Sequence, residues 1–190
     1  MKQKNRSFGA LSSHLSRRWA DGKLEHIGPF LPASGTILDI GSGTGAVSRI
    51  LKDRGYTVTS VDVRNRSLHI EDAPILYDGA RLPFTDSSFD CGLLLTVLHH
   101  TSNPVEILRD AARVCRQIII IEDVYTNPIQ KHLTYFTDSL FNMEFRGHPH
   151  TNKTDHEWRG VFQDLRLTLT QAQQRKVLLF FRQCAYSLSV

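Results

Sequence analysis

The feature that most constrains this chain is a short apolar run, Thr36-Ile37-Leu38-Asp39-Ile40, that passes directly into Gly41-Ser42-Gly43-Thr44-Gly45. From Ala46 to Arg54 the pattern turns helical and stops at Gly55. A strand, a glycine turn and a helix in this order form the opening unit of a parallel sheet. The alternate glycines let the backbone turn sharply and bring main-chain N–H groups close to a ligand with no side chain in the way. Tyr56 to Asp62 is β-branched and predicts the second strand. At its end, 21 residues after Gly41, Asp62 offers a carboxylate that can accept both hydroxyls of a ribose. The two signals together point to a bound nucleoside.

The remaining pattern predicts how the sheet is completed. A short third strand is expected at 73–78, and the segment Asp90 to Val97 has an unbroken apolar centre, as in a central parallel strand covered on both faces. Asn103, Pro104 and Glu106 predict an N-cap, a first-turn proline and a capping box for a helix reaching Val114, followed by a fifth strand from Gln117 to Glu122. Alternating strands and helices of these lengths argue for a doubly wound α/β sheet, mostly parallel, with helices on both faces. Leu11, Leu15, Trp19 and Leu24 predict an amphipathic helix, giving an N-terminal helical cap at about 8–27. After Asp123 the pattern loosens into an expected lid-like insertion at about 126–163. Within it Thr154 and Glu157 predict a second capping box, and two closing strands follow at 165–170 and 180–188.

At 190 residues one domain spanning 1–190 is expected. The net charge of +4 is scattered, so a nucleic-acid partner is not indicated. Three distant cysteines, Cys91, Cys115 and Cys184, form neither a disulfide framework nor a zinc pattern and suit a reducing cytoplasm. No apolar run has membrane-spanning length. The oligomeric state stays open between monomer and homodimer.

Which nucleoside binds depends on the residues around the glycines. Gly41, Gly43 and Ala46 also satisfy a relaxed dinucleotide fingerprint. Asp39 weighs against it, because an anion there repels a pyrophosphate but suits the ammonium of a methionine moiety. The turn therefore favours S-adenosylmethionine, with a nicotinamide-dependent oxidoreductase as the lesser reading.

Three segments carry a family resemblance: the run from Ile37 to Gly45, then Asp62, then Asp78-Gly79-Ala80-Arg81-Leu82-Pro83-Phe84-Thr85-Asp86-Ser87-Ser88-Phe89-Asp90 with Leu95 to His100. These resemble the class I S-adenosylmethionine-dependent methyltransferases of small-molecule type. The resemblance implies a Rossmann-like seven-stranded sheet with an antiparallel last strand, and methyl transfer to a small or medium-sized acceptor. It also implies that Asp39, Gly41 and Gly43 line the methionine end, with Ser42 and Gly45 of the same turn also binding the cofactor. Asp62 and Val63 then take the ribose and adenine, Asp78 and Gly79 the adenine amino group, and Thr96 lies beside the sulfonium. Asp78 before Gly79 also reads as a simple turn residue.

A base is wanted if the acceptor is a hydroxyl or an amine, and histidine has the suitable pKa. The candidates are His99 and His100 at the carboxyl edge of the sheet and His148 and His150 in the lid, with core packing, capping or a solvated loop as the alternatives. His148, His150, Asp155 and His156 match no standard zinc spacing, so no metal is expected. Trp19, Trp158, Tyr125, Tyr135 and Phe136 could line an apolar acceptor pocket or simply be core. A cofactor-binding protein without transferase activity is the alternative function.

Overall fold

The structure is a computed structural model that describes residues 2–125, 151–177 and 181–190. Seven strands form one sheet: β1 Thr36–Ile40, β2 Thr57–Asp62, β3 Ile75–Leu76, β4 Phe89–Leu95, β5 Cys115–Val124, β6 Thr168–Val177 and β7 Phe181–Ser189. Their order is β3-β2-β1-β4-β5-β7-β6. The first five run parallel, and β7 lies antiparallel between β5 and β6. This is the doubly wound, mostly parallel sheet with an antiparallel last strand that the sequence predicts.

Alternation of side chains along each strand splits the core into two layers. On one face Ile37, Leu93, Leu95, Ile119 and Ile121 pack with Ala20, Leu24 and Ile27 of helix α1 (Lys2–Ile27) and Ile50 and Leu51 of helix α2 (Ala46–Asp53). On the other, Leu38, Ile40, Leu94, Ile118 and Ile120 meet Leu108 and Ala111 of helix α3 (Pro104–Val114) and Trp158 and Phe162 of helix α4 (Asp155–Asp164).

Several local expectations shift. The buried stripe of α1 is Ala20, Leu24 and Ile27, while Leu15 and Trp19 are about half exposed. One residue along a helix rotates a side chain by about 100°, so a stripe set by 20, 24 and 27 turns 15 and 19 aside. The capping box at Asn103 does not form: Asn103 makes no side-chain cap bond, and Glu106 instead pairs with Arg109 one turn on. The box at Thr154 does form, with Thr154 N–H donating to Glu157 at 2.7 Å and Glu157 N–H donating to Thr154 Oγ1 at 3.2 Å. β4 ends at Leu95 rather than Val97, because Thr96 takes a left-handed φ of 62°. Leu165 and Arg166 form a turn, Arg166 at φ 59°, and β6 starts only at Thr168. Trp158 is fully buried on Phe162, so it serves the core rather than a pocket wall. Tyr135, Phe136, His148, His150 and most of the expected lid lie outside the described residues.

Candidate functional site

In this order β1 and β4 are neighbours, and the chain leaves β1 toward β2 on one side while β4 leads to β5 on the other. Such a switch point opens a crevice at the carboxyl ends of the strands, where the glycine turn lies. Gly41 and Ser42 donate their N–H groups to Val61 O at 2.8 and 3.2 Å, and Gly45 N–H closes the turn on Ser42 O at 3.0 Å. Gly41, Gly43 and Gly45 all have positive φ. A Cβ on Gly41 would stand 2.8 Å from Val97 Cγ2, so the turn and the segment after β4 touch across the crevice. Gly41→Ala combines a left-handed residue with that collision and should cost roughly 1–3 kcal/mol of stability. A denaturant midpoint measured against wild type checks this.

Ser42 Oγ is buried and has no hydrogen-bond partner among the described residues. Leaving such a group unpaired costs roughly 1–3 kcal/mol, a cost that a polar ligand in the turn would remove. Behind the turn, Asp39 Oδ2 accepts from Ser48 Oγ at 2.6 Å, and Ser48 Oγ also bonds Ser60 Oγ at 2.7 Å. Burial pushes the Asp39 carboxyl up to about 6, against the pull of the Ser48 hydroxyl and of Lys23. A cation placed nearby would lower it again.

Asp62 ties the end of β2 to the turn: Oδ2 accepts from Gly43 N–H at 2.8 Å and Oδ1 from Arg64 N–H at 3.1 Å. Each oxygen keeps a second lone pair for a hydroxyl. The next residue, Val63, is 54% exposed and faces Gly79, whose added Cβ would lie 3.1 Å from Val63 Cγ1. Asp78 Oδ1 accepts from Ala80 N–H at 2.9 Å and Arg81 N–H at 3.2 Å, and these backbone bonds hold its carboxyl below the usual range. The turn-forming reading of Asp78 is therefore realised in this oxygen.

On the opposite lip, Thr96 holds its left-handed conformation through its N–H, which donates to Ile121 O at 2.7 Å, and its Oγ1, which donates to Leu95 O at 2.6 Å. Lys23 reaches over from α1 and donates to Leu95 O at 2.9 Å and Thr96 Oγ1 at 2.8 Å. Beneath this lip Glu122 is fully buried. Its Oε1 accepts from Val97 N–H at 3.1 Å and Leu98 N–H at 2.8 Å, and its Oε2 bonds His99 Nδ1. His99 is buried in the 3₁₀ turn Leu98–His100, its ring 4.0 Å from that of half-buried His100.

Thus the crevice gathers Asp39, Gly41, Ser42, Gly43 and Gly45 with Asp62 from one side and Thr96, His99 and His100 from the other. Val63, Asp78 and Gly79 stand beyond β2. Lys23 and Glu122 were not singled out from the sequence. For Glu122 the signal was an acidic residue ending an isoleucine run; Lys23 has none, because nothing local ties α1 to β4. Among the described residues no group of three His, Cys, Asp or Glu side chains could hold a metal, and no helix is long and apolar enough to cross a membrane.

Residues 38–118 match the family model described as a methyltransferase domain. The chain is 36% identical over 88 residues to a demethylmenaquinone methyltransferase of Tropheryma whipplei, a match covering 42% of this chain but 37% of that protein. It is 27% identical over 165 residues to an uncharacterized methyltransferase of Mycobacterium sp. (strain KMS), covering 80% of this chain and 65% of the relative. The chain therefore spans less than two thirds of the length of these curated relatives. Among solved structures, a methyltransferase from Methanosarcina mazei aligns with a TM-score of 0.68 at 18% identity, over 86% of this chain and 96% of that one. Geranyl diphosphate C-methyltransferase from Streptomyces coelicolor aligns with a TM-score of 0.67 at 13% identity, over 93% and 79%.

Proposed function

We propose that the chain is a class I S-adenosylmethionine-dependent methyltransferase and that it moves the donor's methyl group to a small or medium-sized acceptor. The observation that carries the donor assignment is buried Asp39 behind a glycine turn that holds a buried Ser42 hydroxyl with no partner among the described residues. An anion raised by burial gains from a ligand ammonium, whereas a dinucleotide would bring a pyrophosphate toward it. In this reading the methionine end lies on Gly41, Ser42, Gly43 and Gly45, Asp62 takes the ribose hydroxyls, and Val63, Asp78 and Gly79 border the adenine.

The bound donor supplies a methyl carbon activated by its sulfonium. The residues of the chain then position the partners for in-line displacement, which can lower a barrier by several kcal/mol. Thr96 borders the reacting centre. His99, held at Nδ1 by Glu122, is the proposed base, acting through Nε2 on a hydroxyl or acidic carbon of the acceptor. His100, His148 and His150 are the further candidates. The demethylmenaquinone methyltransferases among the relatives suggest quinone-type aromatic acceptors as the first class to test. Three buried cysteines without disulfides suit a reducing, cytoplasmic setting.

Calorimetric titration with S-adenosylhomocysteine and with NADH tests the donor. Tight binding of the first and none of the second is expected, and the reverse sinks the assignment. Asp62→Ala should weaken S-adenosylhomocysteine by roughly 1–3 kcal/mol, and an unchanged dissociation constant would put the ribose elsewhere. Transfer from radiolabelled donor to a demethylmenaquinone analogue, with His99→Ala and His100→Ala alongside, tests the acceptor half.

A further inference from the structure

The Lys23 ammonium stands at the carboxyl end of β4, on the lip that faces the glycine turn. Both of its hydrogen bonds go to uncharged oxygens, Leu95 O at 2.9 Å and Thr96 Oγ1 at 2.8 Å. Carboxylates lie in the neighbourhood, but each is already served by its own donors. Asp39 has Ser48, Glu122 has two backbone N–H groups and His99, and Asp123 has Gln183 Nε2 at 3.0 Å. They act on Lys23 through space, and none forms an ion pair with it among the described residues.

The lysine is also held in place from behind. Arg175 of β6 donates to Gly22 O, the residue before Lys23, at 2.5 Å, and Gln173 of the same strand donates to His26 O at 2.6 Å. Arg175 in turn bonds the uncharged Gln183 Oε1 at 3.1 and 2.6 Å. Among the described residues two cations with only neutral oxygen partners thus stand together, and burial lowers the pKa of each. A half-buried ammonium so arranged is a preorganised position for an anion, because its binding costs little reordering and desolvation makes each charged hydrogen bond stronger.

We propose that Lys23 is a binding residue of the site and that its ammonium takes an anionic oxygen of a bound molecule at the carboxyl end of β4. That oxygen is either the carboxylate of the methyl donor or the oxyanion of an acceptor that reacts in its deprotonated form. The inference rests on the methyl-transfer reading and adds a residue that the glycine turn does not supply.

The test compares wild type, Lys23→Met and Lys23→Arg. Thermal melting first establishes that the variants fold. S-adenosylhomocysteine and its decarboxylated analogue are titrated calorimetrically. Then 4-nitrophenol is titrated with pH at saturating S-adenosylhomocysteine, following the phenolate absorption band. If the donor carboxylate is the partner, Lys23→Met weakens S-adenosylhomocysteine by tenfold or more, leaves the decarboxylated analogue unchanged, and Lys23→Arg restores much of the loss. If the acceptor oxyanion is the partner, S-adenosylhomocysteine binding is unchanged. Protein-bound 4-nitrophenol then ionises at lower pH than the free phenol in wild type and loses that shift in Lys23→Met. No change in either arm, with wild type binding S-adenosylhomocysteine normally, overturns the role of Lys23 alone. Failure of wild type to bind S-adenosylhomocysteine overturns the methyl-donor reading and this proposal with it.

Discussion

Replacing Asp39 by asparagine should make the unliganded protein more stable at neutral pH and a poorer binder of the methyl donor. The Asp39 carboxyl is raised from 3.8 to about 6 by burial, so its ionised form at pH 7 works against folding. At about 1.4 kcal/mol per pKa unit this amounts to roughly 2–3 kcal/mol, or a melting temperature higher by several degrees in Asp39→Asn. The amide can still accept from Ser48 Oγ. The same substitution removes the charge proposed to hold the donor's ammonium, so S-adenosylhomocysteine should bind at least tenfold more weakly. A variant that is both less stable and equally tight would refute the assignment.

The pH dependence follows with a definite sign. For Asp39 the folded pKa lies above the unfolded one, so its contribution is most favourable at low pH and is lost as pH rises through about 6. His26 runs the other way. Burial, aided by Arg175, lowers it from 6.5 to about 4, so its contribution is present above 6.5 and is lost as pH falls through about 4. Between pH 4 and 6 the two slopes oppose each other in wild type. In Asp39→Asn the His26 slope stands alone, and stability should fall steadily as the solution is acidified from pH 6.5 to 4. Urea midpoints taken across that range read the difference.

Glu122→Gln should separate chemistry from folding. The carboxylate accepts from Val97 N–H, Leu98 N–H and His99 Nδ1. The amide oxygen can keep the two backbone bonds, but its NH2 group now faces Nδ1 and favours the tautomer that carries its proton on Nε2. His99 then offers a donor where the proposed base needs an acceptor, and turnover should drop by roughly 10²–10⁴ with donor affinity nearly unchanged. Histidine ¹⁵N chemical shifts report the tautomer without any acceptor present. Glu122→Ala strands three polar groups at once and should cost roughly 3–5 kcal/mol, a loss seen in the melt rather than in kinetics alone.

The sheet was legible because its signals are local. Thr36 to Gly45 contains a strand and its turn, and the apolar run from Cys91 to Leu95 reads as a strand covered on both faces. Asp62 was legible for the same reason, lying at the end of the next strand. What sequence reasoning could not supply is what tertiary packing decides. Asn103 had the residues of a capping box, but Glu106 found Arg109 instead. Leu15 and Trp19 had helical spacing, but the docking of α1 followed Ala20, Leu24 and Ile27. Lys23 and Glu122 matter through partners 73 and 23 residues away in the chain, and no window of sequence shows such a pairing.

The clamp from β6 onto α1 has a consequence for synthesis. The residues that would hold the donor are translated by the time the chain reaches Thr96, but the first helix is fastened by Gln173 and Arg175. Those side chains lie on an outermost strand that joins the sheet only through β7, the strand translated after all the others of the sheet. A nascent chain that has already made its glycine turn therefore lacks the Gln173 and Arg175 bonds onto α1 until β6 and β7 have been made. Shortening that hairpin would loosen α1 and with it the seat of Lys23, so the first helix depends on the last two strands of the sheet.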